Sequence, residues 1–212
     1  DYVPVTNMVY TVLALVVHPS AGAGSLQELT AAARARPGSL NYGTLGSGTM
    51  ANLLIEFLKK QNNLNITHVP YKGPPELIRA VVSGEVQMTY LGVGGFVQFH
   101  KAGKLRIIAV DGVGRYQRWP DVPSIAETFP GYRTSGMGIL IAPRGTPANV
   151  TQPLHAAMDK INRDPEYQQK LLDMSISVKD AGTPEALSAF TRERRTYWAN
   201  IFKTLNVPPA SE

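Results

Sequence analysis

Cysteine is absent from the 212-residue chain, which excludes disulfides and thiolate metal sites and leaves the compartment open. Histidine is scarce. The four copies, His18, His68, His100 and His155, fall in four different expected elements, and none has the helix-face spacing of a metal pair. No apolar run reaches membrane-spanning length; Val12–Val17 is strand-sized. There is no basic leader with a small-residue cleavage site at the start, so any targeting peptide is expected to be gone already. Aromatic-interleaved RNA motifs, zinc-finger spacings and basic-zipper patterns are also missing. The net charge of +5 comes from scattered lysines and arginines on expected helix ends and exposed faces. That distribution reads as a solvated surface rather than a nucleic-acid footprint.

What is present is an alternation of strand and helix signals. Val12–Val17 is a continuous apolar run, as in a strand buried on both faces. Ser25-Leu-Gln-Glu28 is a capping box opening a helix that stops near Pro37-Gly38. Short strands are expected at Leu40–Gly43, Ile66–Val69, Val86–Leu91, Leu105–Val110 and Gly138–Ala142. A helix carries Met50, Leu53, Leu54, Phe57 and Leu58 on one stripe, another carries Leu77, Ile78, Val81 and Val82, and Phe96–Ala102 looks helical. Thr146-Pro147, Asp164-Pro165 and Thr183-Pro184 each place a capping side chain before a proline that starts a helix. The last helix is amphipathic, with Leu187, Phe190, Tyr197, Trp198, Ile201 and Leu205 on one face. Such an order implies an α/β fold with a mostly parallel sheet. Ligands in these folds sit beyond the carboxyl ends of the strands, at Thr44–Thr49, Tyr71–Pro75, Gly92–Gly95 and Asp111–Arg115.

The most informative of these loops is Asn41–Ala51, NYGTLGSGTMA. A glycine-rich turn stands between a strand and a helix start, where ligand oxygens can approach backbone N–H groups and the helix end favours negative charge. Gly46-Ser-Gly48-Thr-Met-Ala51 matches G-x-G-x-x-A, the dinucleotide fingerprint, which makes a nucleotide-dependent enzyme the rival reading. About twenty residues on, where an acid should hold the ribose, the chain reads His68-Val-Pro-Tyr-Lys72. No lysine follows Gly48, so a Walker-type loop is excluded. The turn can also serve backbone geometry alone, and Ser47 or Thr49 can simply cap the helix. Tyr71-Lys72-Gly73-Pro74 either connects two elements or supplies a second set of N–H groups, with the Tyr71 hydroxyl facing the first loop. No catalytic constellation accompanies the turn, and no cofactor is called for.

These motifs resemble the solute-binding proteins of the tripartite tricarboxylate transporter, the Bug family. The likeness runs through DYVPVTNM, LVVHPS, ARPGSLNYGTLGSGT, THVPYKGPPELIRAVVSGEVQ, KAGKLRIIAV, RWPDVPSIAET and GILIAPRGTP. It implies a type II periplasmic-binding-protein fold, two α/β lobes around a cleft that closes on a small organic carboxylate, followed by docking on a membrane permease. By motif match Gly43, Thr44, Gly46, Ser47, Gly48 and Thr49 would form one ligand loop, and Tyr71, Lys72 and Gly73 another. The resemblance also implies that this chain starts well inside a usual member, so that residues 10–134 form one complete lobe while 1–9 and 135–212 are the remainder of a first lobe truncated at its N-terminal half. Apolar surface left open by that truncation would favour a dimer or a swapped oligomer, or leave a non-binding structural remnant. Leu91 stands where the family often has an aspartate, and Gly136 where it often has an aromatic, so the family's substrate preferences do not carry over. The expected location is the periplasm.

Overall fold

The computed structural model describes residues 2–112, 114–116, 118–130, 132, 136–177 and 182–206. Two compact units emerge, one of Asp1–Val12 with Ser135–Ala199 and one of Leu13–Thr134 with Asn200–Glu212. The expected lobe boundary at 134–135 lies outside the described residues.

The first unit is built on three antiparallel strands, β1 (Tyr2–Thr11), β7 (Gly136–Pro143) and β8 (Ile176–Ser177), in the order β7-β1-β8. Helix α6 (Ala148–Asn162) packs on β1. Two side chains fasten it. The Asn162 amide donates to the Asn7 carbonyl at 3.1 Å, and His155 Nδ1 lies 3.2 Å from the Val5 carbonyl. Helices α7 (Pro165–Asp173) and α8 (Pro184–Leu205) follow. Asp164 caps α7 by accepting from the N–H groups of Glu166 and Tyr167, and Thr183 accepts from Ala186 N–H at the start of α8. Thr146 does not cap α6. That helix starts one residue later than the sequence suggests, with Pro147 at its cap, and the Thr146 hydroxyl donates to the Pro143 carbonyl instead. On the part of α8 that belongs to this unit, Leu187 of the apolar stripe is buried.

The second unit carries a five-stranded sheet in the order β4-β3-β5-β2-β6. Its strands are β2 (Leu13–Val17), β3 (Asn41–Thr44), β4 (Thr67–Pro70), β5 (Met88–Gly92) and β6 (Arg106–Val110). Helices α1 (Leu26–Ala35), α2 (Met50–Asn62), α3 (Pro74–Ser83), α4 (Val97–Lys101) and α5 (Ile125–Thr128) connect them or flank them. All five residues of β2 are buried, as its unbroken apolar run requires. The expectation of a mostly parallel sheet needs one correction. Strand β3 is parallel to β4 and β5, but β2 is antiparallel to both β5 and β6. A fully apolar run reports burial on two faces and carries no information about direction. Because only β2 is reversed, the carboxyl ends of β3, β4, β5 and β6 gather at one edge of the sheet, where β2 begins. There Leu13 N–H donates to the buried Asp111 carboxylate at 3.0 Å, and Asp111 N–H returns a bond to the Leu13 carbonyl.

Helix α1 shows how local sequence sets these elements. Ser25 accepts from Glu28 N–H at 3.1 Å, as a capping side chain should, while the Glu28 carboxylate reaches back to Gly24 N–H rather than to Ser25. Helix α2 ends at Asn63 in the left-handed region, φ 51°, a role asparagine fills more readily than most residues.

Candidate functional site

Thr44 ends β3 and Pro70 ends β4, side by side in parallel register. The two loops that leave them are therefore neighbours, joined by a 2.8 Å bond from Tyr71 N–H to the Thr44 carbonyl. The first loop turns through Gly46 at φ +123° and Gly48 at φ +77° and feeds into α2. Those values suit glycine and penalise other residues. A Cβ added at either position would meet no atom within 4 Å, so the turn faces open space on the side where a side chain would stand. Ser47 and Gly48 are exposed.

Internal bonds stiffen this turn. The Thr49 hydroxyl donates to the Gly46 carbonyl at 2.8 Å while its oxygen accepts from Asn52 N–H, which makes Thr49 the cap of α2. Gly46 N–H donates to the Thr44 hydroxyl at 3.2 Å, and Gly48 N–H donates to Asn52 Oδ1 at 3.0 Å. Among the described residues the Ser47 N–H has no acceptor. Helix geometry leaves the first N–H groups of α2, at Met50 and Ala51, without intrahelical partners. Backbone donors and the positive end of a thirteen-residue helix thus converge on one exposed turn.

Several expected site residues have other duties. Gly43 is an interior strand residue: a Cβ there would lie 2.4 Å from Leu77 Cδ1 and 3.0 Å from the Tyr71 ring. Close packing against Leu77 and Tyr71 leaves no room for a side chain there. The expectation that the Tyr71 hydroxyl faces the glycine turn does not hold. Tyr71 is buried and its hydroxyl donates to Glu85 at 2.7 Å. Burial, with Glu85 beside it, pushes its pKa well above the ordinary phenol value. The physical reason is the space over Gly43, which the Tyr71 ring fills. Lys72 is exposed, and its N–H is taken by the Glu76 carboxylate at 3.2 Å. Gly73 sits at the start of α3 in extended backbone. The third loop is occupied too: Val93 and Phe96 are buried in a short 3-10 turn, and Gly95 lies close to Ile78.

Behind the turn stands a polar layer in which Thr44 and His68 were legible in the sequence but their partners were not. A 2.7 Å hydrogen bond joins Thr44 Oγ1 and His68 Nε2, and the imidazole stacks on the Tyr42 ring at 4.8 Å between centroids. Burial holds the His68 pKa below its ordinary 6.5, with Glu56 opposing that shift and Lys59 adding to it. The unfolded chain, with its imidazole in water, therefore binds more protons just below that value than the folded chain does. Stability should fall as pH drops through this window and be flat above it. Urea midpoints between about pH 7 and 5 should show a shallower acid loss in His68→Gln; an unchanged slope would mean that His68 titrates equally in both states.

Larger hollows among the described residues lie elsewhere. One of about 620 Å³ in the first unit is lined by residues including Val5, His155, Glu185 and Arg192. Another, of about 460 Å³ in the second unit, is lined by residues including Gly24, Glu28, His100 and Arg106. Neither reaches the glycine turn.

Comparison with known proteins decides the family. The family model of the tripartite tricarboxylate transporter family receptor, TctC, matches residues 1–207. The chain belongs to this receptor family. Among its curated relatives, a UPF0065 protein of Bordetella bronchiseptica is 30% identical over 209 residues, covering 99% of this chain and 62% of the relative. This TctC-family chain thus spans somewhat less than two thirds of that relative's length. Among solved structures, R. palustris Rpa4515 with adipate superimposes with a TM-score of 0.85 at 28% identity, covering 99% of this chain and 70% of the other. The periplasmic binding protein BugD shares the fold, with a TM-score of 0.82 at 22% identity over 97% of this chain and 70% of BugD. The two-lobe α/β fold of TctC and Bug proteins is therefore the fold of this chain, and its family consists of solute receptors.

Proposed function

We propose that this chain is an extracytoplasmic receptor that captures a small organic carboxylate by hydrogen bonding and delivers it to a membrane permease of the tripartite tricarboxylate type. The observation that carries the reading is the exposed Gly46–Gly48 turn at the head of α2, in a chain of this receptor family. A carboxylate needs donors, and the turn offers Ser47 N–H, the first N–H groups of α2 and the helix dipole. It needs no acid, base or metal, because nothing is broken. Among the described residues no three His, Asp or Glu side chains stand together as a metal site. Adipate held by the R. palustris relative supports the ligand class. Periplasmic placement and the permease partner follow the family.

Thermal unfolding tests the reading directly. A ligand present at about a hundred times its dissociation constant stabilises the folded state by about 2.7 kcal/mol. Adipate and related dicarboxylates should raise the midpoint, and NAD should leave it unchanged. A midpoint raised by the dinucleotide and not by carboxylates would replace the receptor reading with the nucleotide one.

A further inference from the structure

Behind the glycine turn, a chain of hydrogen bonds leads from a charged pair to one loop amide. Lys59 Nζ lies 2.5 Å from Glu56 Oε1, and the same oxygen is 2.5 Å from the Tyr42 hydroxyl. Tyr42 Oη is 2.8 Å from Asn52 Nδ2, and Asn52 Oδ1 is 3.0 Å from Gly48 N–H. Tyr42 is fully buried and Asn52 nearly so.

The direction of this chain is fixed by chemistry. An ionised carboxylate only accepts, so Tyr42 must donate its single O–H to Glu56. The phenol oxygen is then left as an acceptor, and the Asn52 group facing it must be the NH2. The amide oxygen consequently faces Gly48 and can accept its N–H. If Tyr42 donated toward Asn52 instead, the amide would turn over and set NH2 against N–H, two donors face to face. Lys59, whose ammonium also lies 5.4 Å from the Tyr42 ring centroid, pairs with this carboxylate and holds it in place.

We propose that Glu56 and Asn52 are positioning residues for ligand capture: acting through Tyr42, Glu56 sets the orientation of the Asn52 amide, which draws Gly48 N–H inward and fixes the turn in the form that receives a carboxylate. Neither side chain touches the ligand. The role rests on the carboxylate-receptor reading, but its first consequence is visible without any ligand. Gly46 N–H is held separately by Thr44 and serves as an internal control.

Amide exchange by NMR on the full chain, with adipate as the binding probe, tests this. In Glu56→Ala the Tyr42 hydroxyl loses its acceptor and turns to Asn52, so Gly48 exchange should accelerate about tenfold while Gly46 exchange stays within about twofold. Glu56→Gln keeps one acceptor oxygen, held in place by Lys59, and should retain wild-type protection. In a Tyr42→Phe background Glu56→Ala should add nothing, because the path runs through the hydroxyl. Adipate affinity should fall about tenfold in Glu56→Ala and little in Glu56→Gln. Unchanged Gly48 exchange in Glu56→Ala, an effect that persists in the Tyr42→Phe background, or full adipate affinity despite a loosened Gly48 would each overturn the proposal. If Gly48 loosens as expected but the wild type itself binds no carboxylate, the positioning of the turn stands and the receptor reading fails.

Discussion

Gly48→Val should reduce carboxylate affinity by about a hundredfold or more, equivalent to about 2.8 kcal/mol, in a chain that stays folded. Two effects combine. At φ +77° a β-branched residue is strained, at a cost of about 1–2 kcal/mol. The side chain also projects into the open space in front of the turn, where a Cβ meets nothing within 4 Å. Strain alone would lower stability; only the projection would block a ligand. Gly103 separates the two. It has φ +70° with equally open surroundings, and it lies between α4 and β6, at the end of the sheet away from the turn. Gly103→Val should therefore cost similar stability and leave affinity unchanged. Calorimetric titration with adipate and thermal unfolding on both variants would show the contrast. Equal loss of affinity in both, or none in either, would remove the turn from the binding site.

The sequence announces this turn because glycine with positive φ leaves a mark in composition. It announces the helix caps at Asp164 and Thr183 for a similar reason: a short polar side chain before proline has few other uses. Burial is equally readable, and the apolar run of β2 sits fully in the core. Direction is not, since the reversal of β2 depends on how the chain enters the sheet. Strand β1 was not apparent from periodicity; Val5, Thr6 and Asn7 are buried in succession, and two irregularities in its pairing with β7 break strict alternation. The polar layer behind the site was also hidden. Tyr42 sits on a strand, while Asn52 and Glu56 occupy i and i+4 of a helix, positions that read as an ordinary polar face. Nothing local reveals that Tyr42 turns its hydroxyl toward that helix. Tyr71 misled in the opposite sense, because a tyrosine in a loop after a strand suggests a ligand contact. Its true partner, Glu85, is fourteen residues away across α3.

Gly43→Val should lower stability by about 3 kcal/mol, a fall in melting temperature of about 6–12 °C for a chain of this size. This is the counterpart of the Gly48 case, since the backbone is relaxed and the obstruction is packing. Gly43 lies in the middle of three neighbouring strands, paired to Val69 on one side and Thr89 on the other. The Thr89 hydroxyl also donates to its carbonyl at 3.0 Å. A strand fixed on both sides cannot move away from α3. The added side chain must therefore displace Leu77 or Tyr71, whose nearest atoms lie 2.4 and 3.0 Å from the position of its Cβ. Leu77 is fully buried and has nowhere to rotate without striking other core atoms. Moving the Tyr71 ring would break its bond to Glu85. Leu77→Ala should recover part of the loss when combined with Gly43→Val, although alone it leaves a cavity and destabilises. That coupling, measured from urea midpoints of the two single variants and the double variant, is the decisive quantity. Additive losses would show that Leu77 is not what excludes a side chain at position 43. A Gly43→Val chain with the wild-type midpoint would show that the glycine is not required for packing at all, and would return it to the residues kept for the ligand.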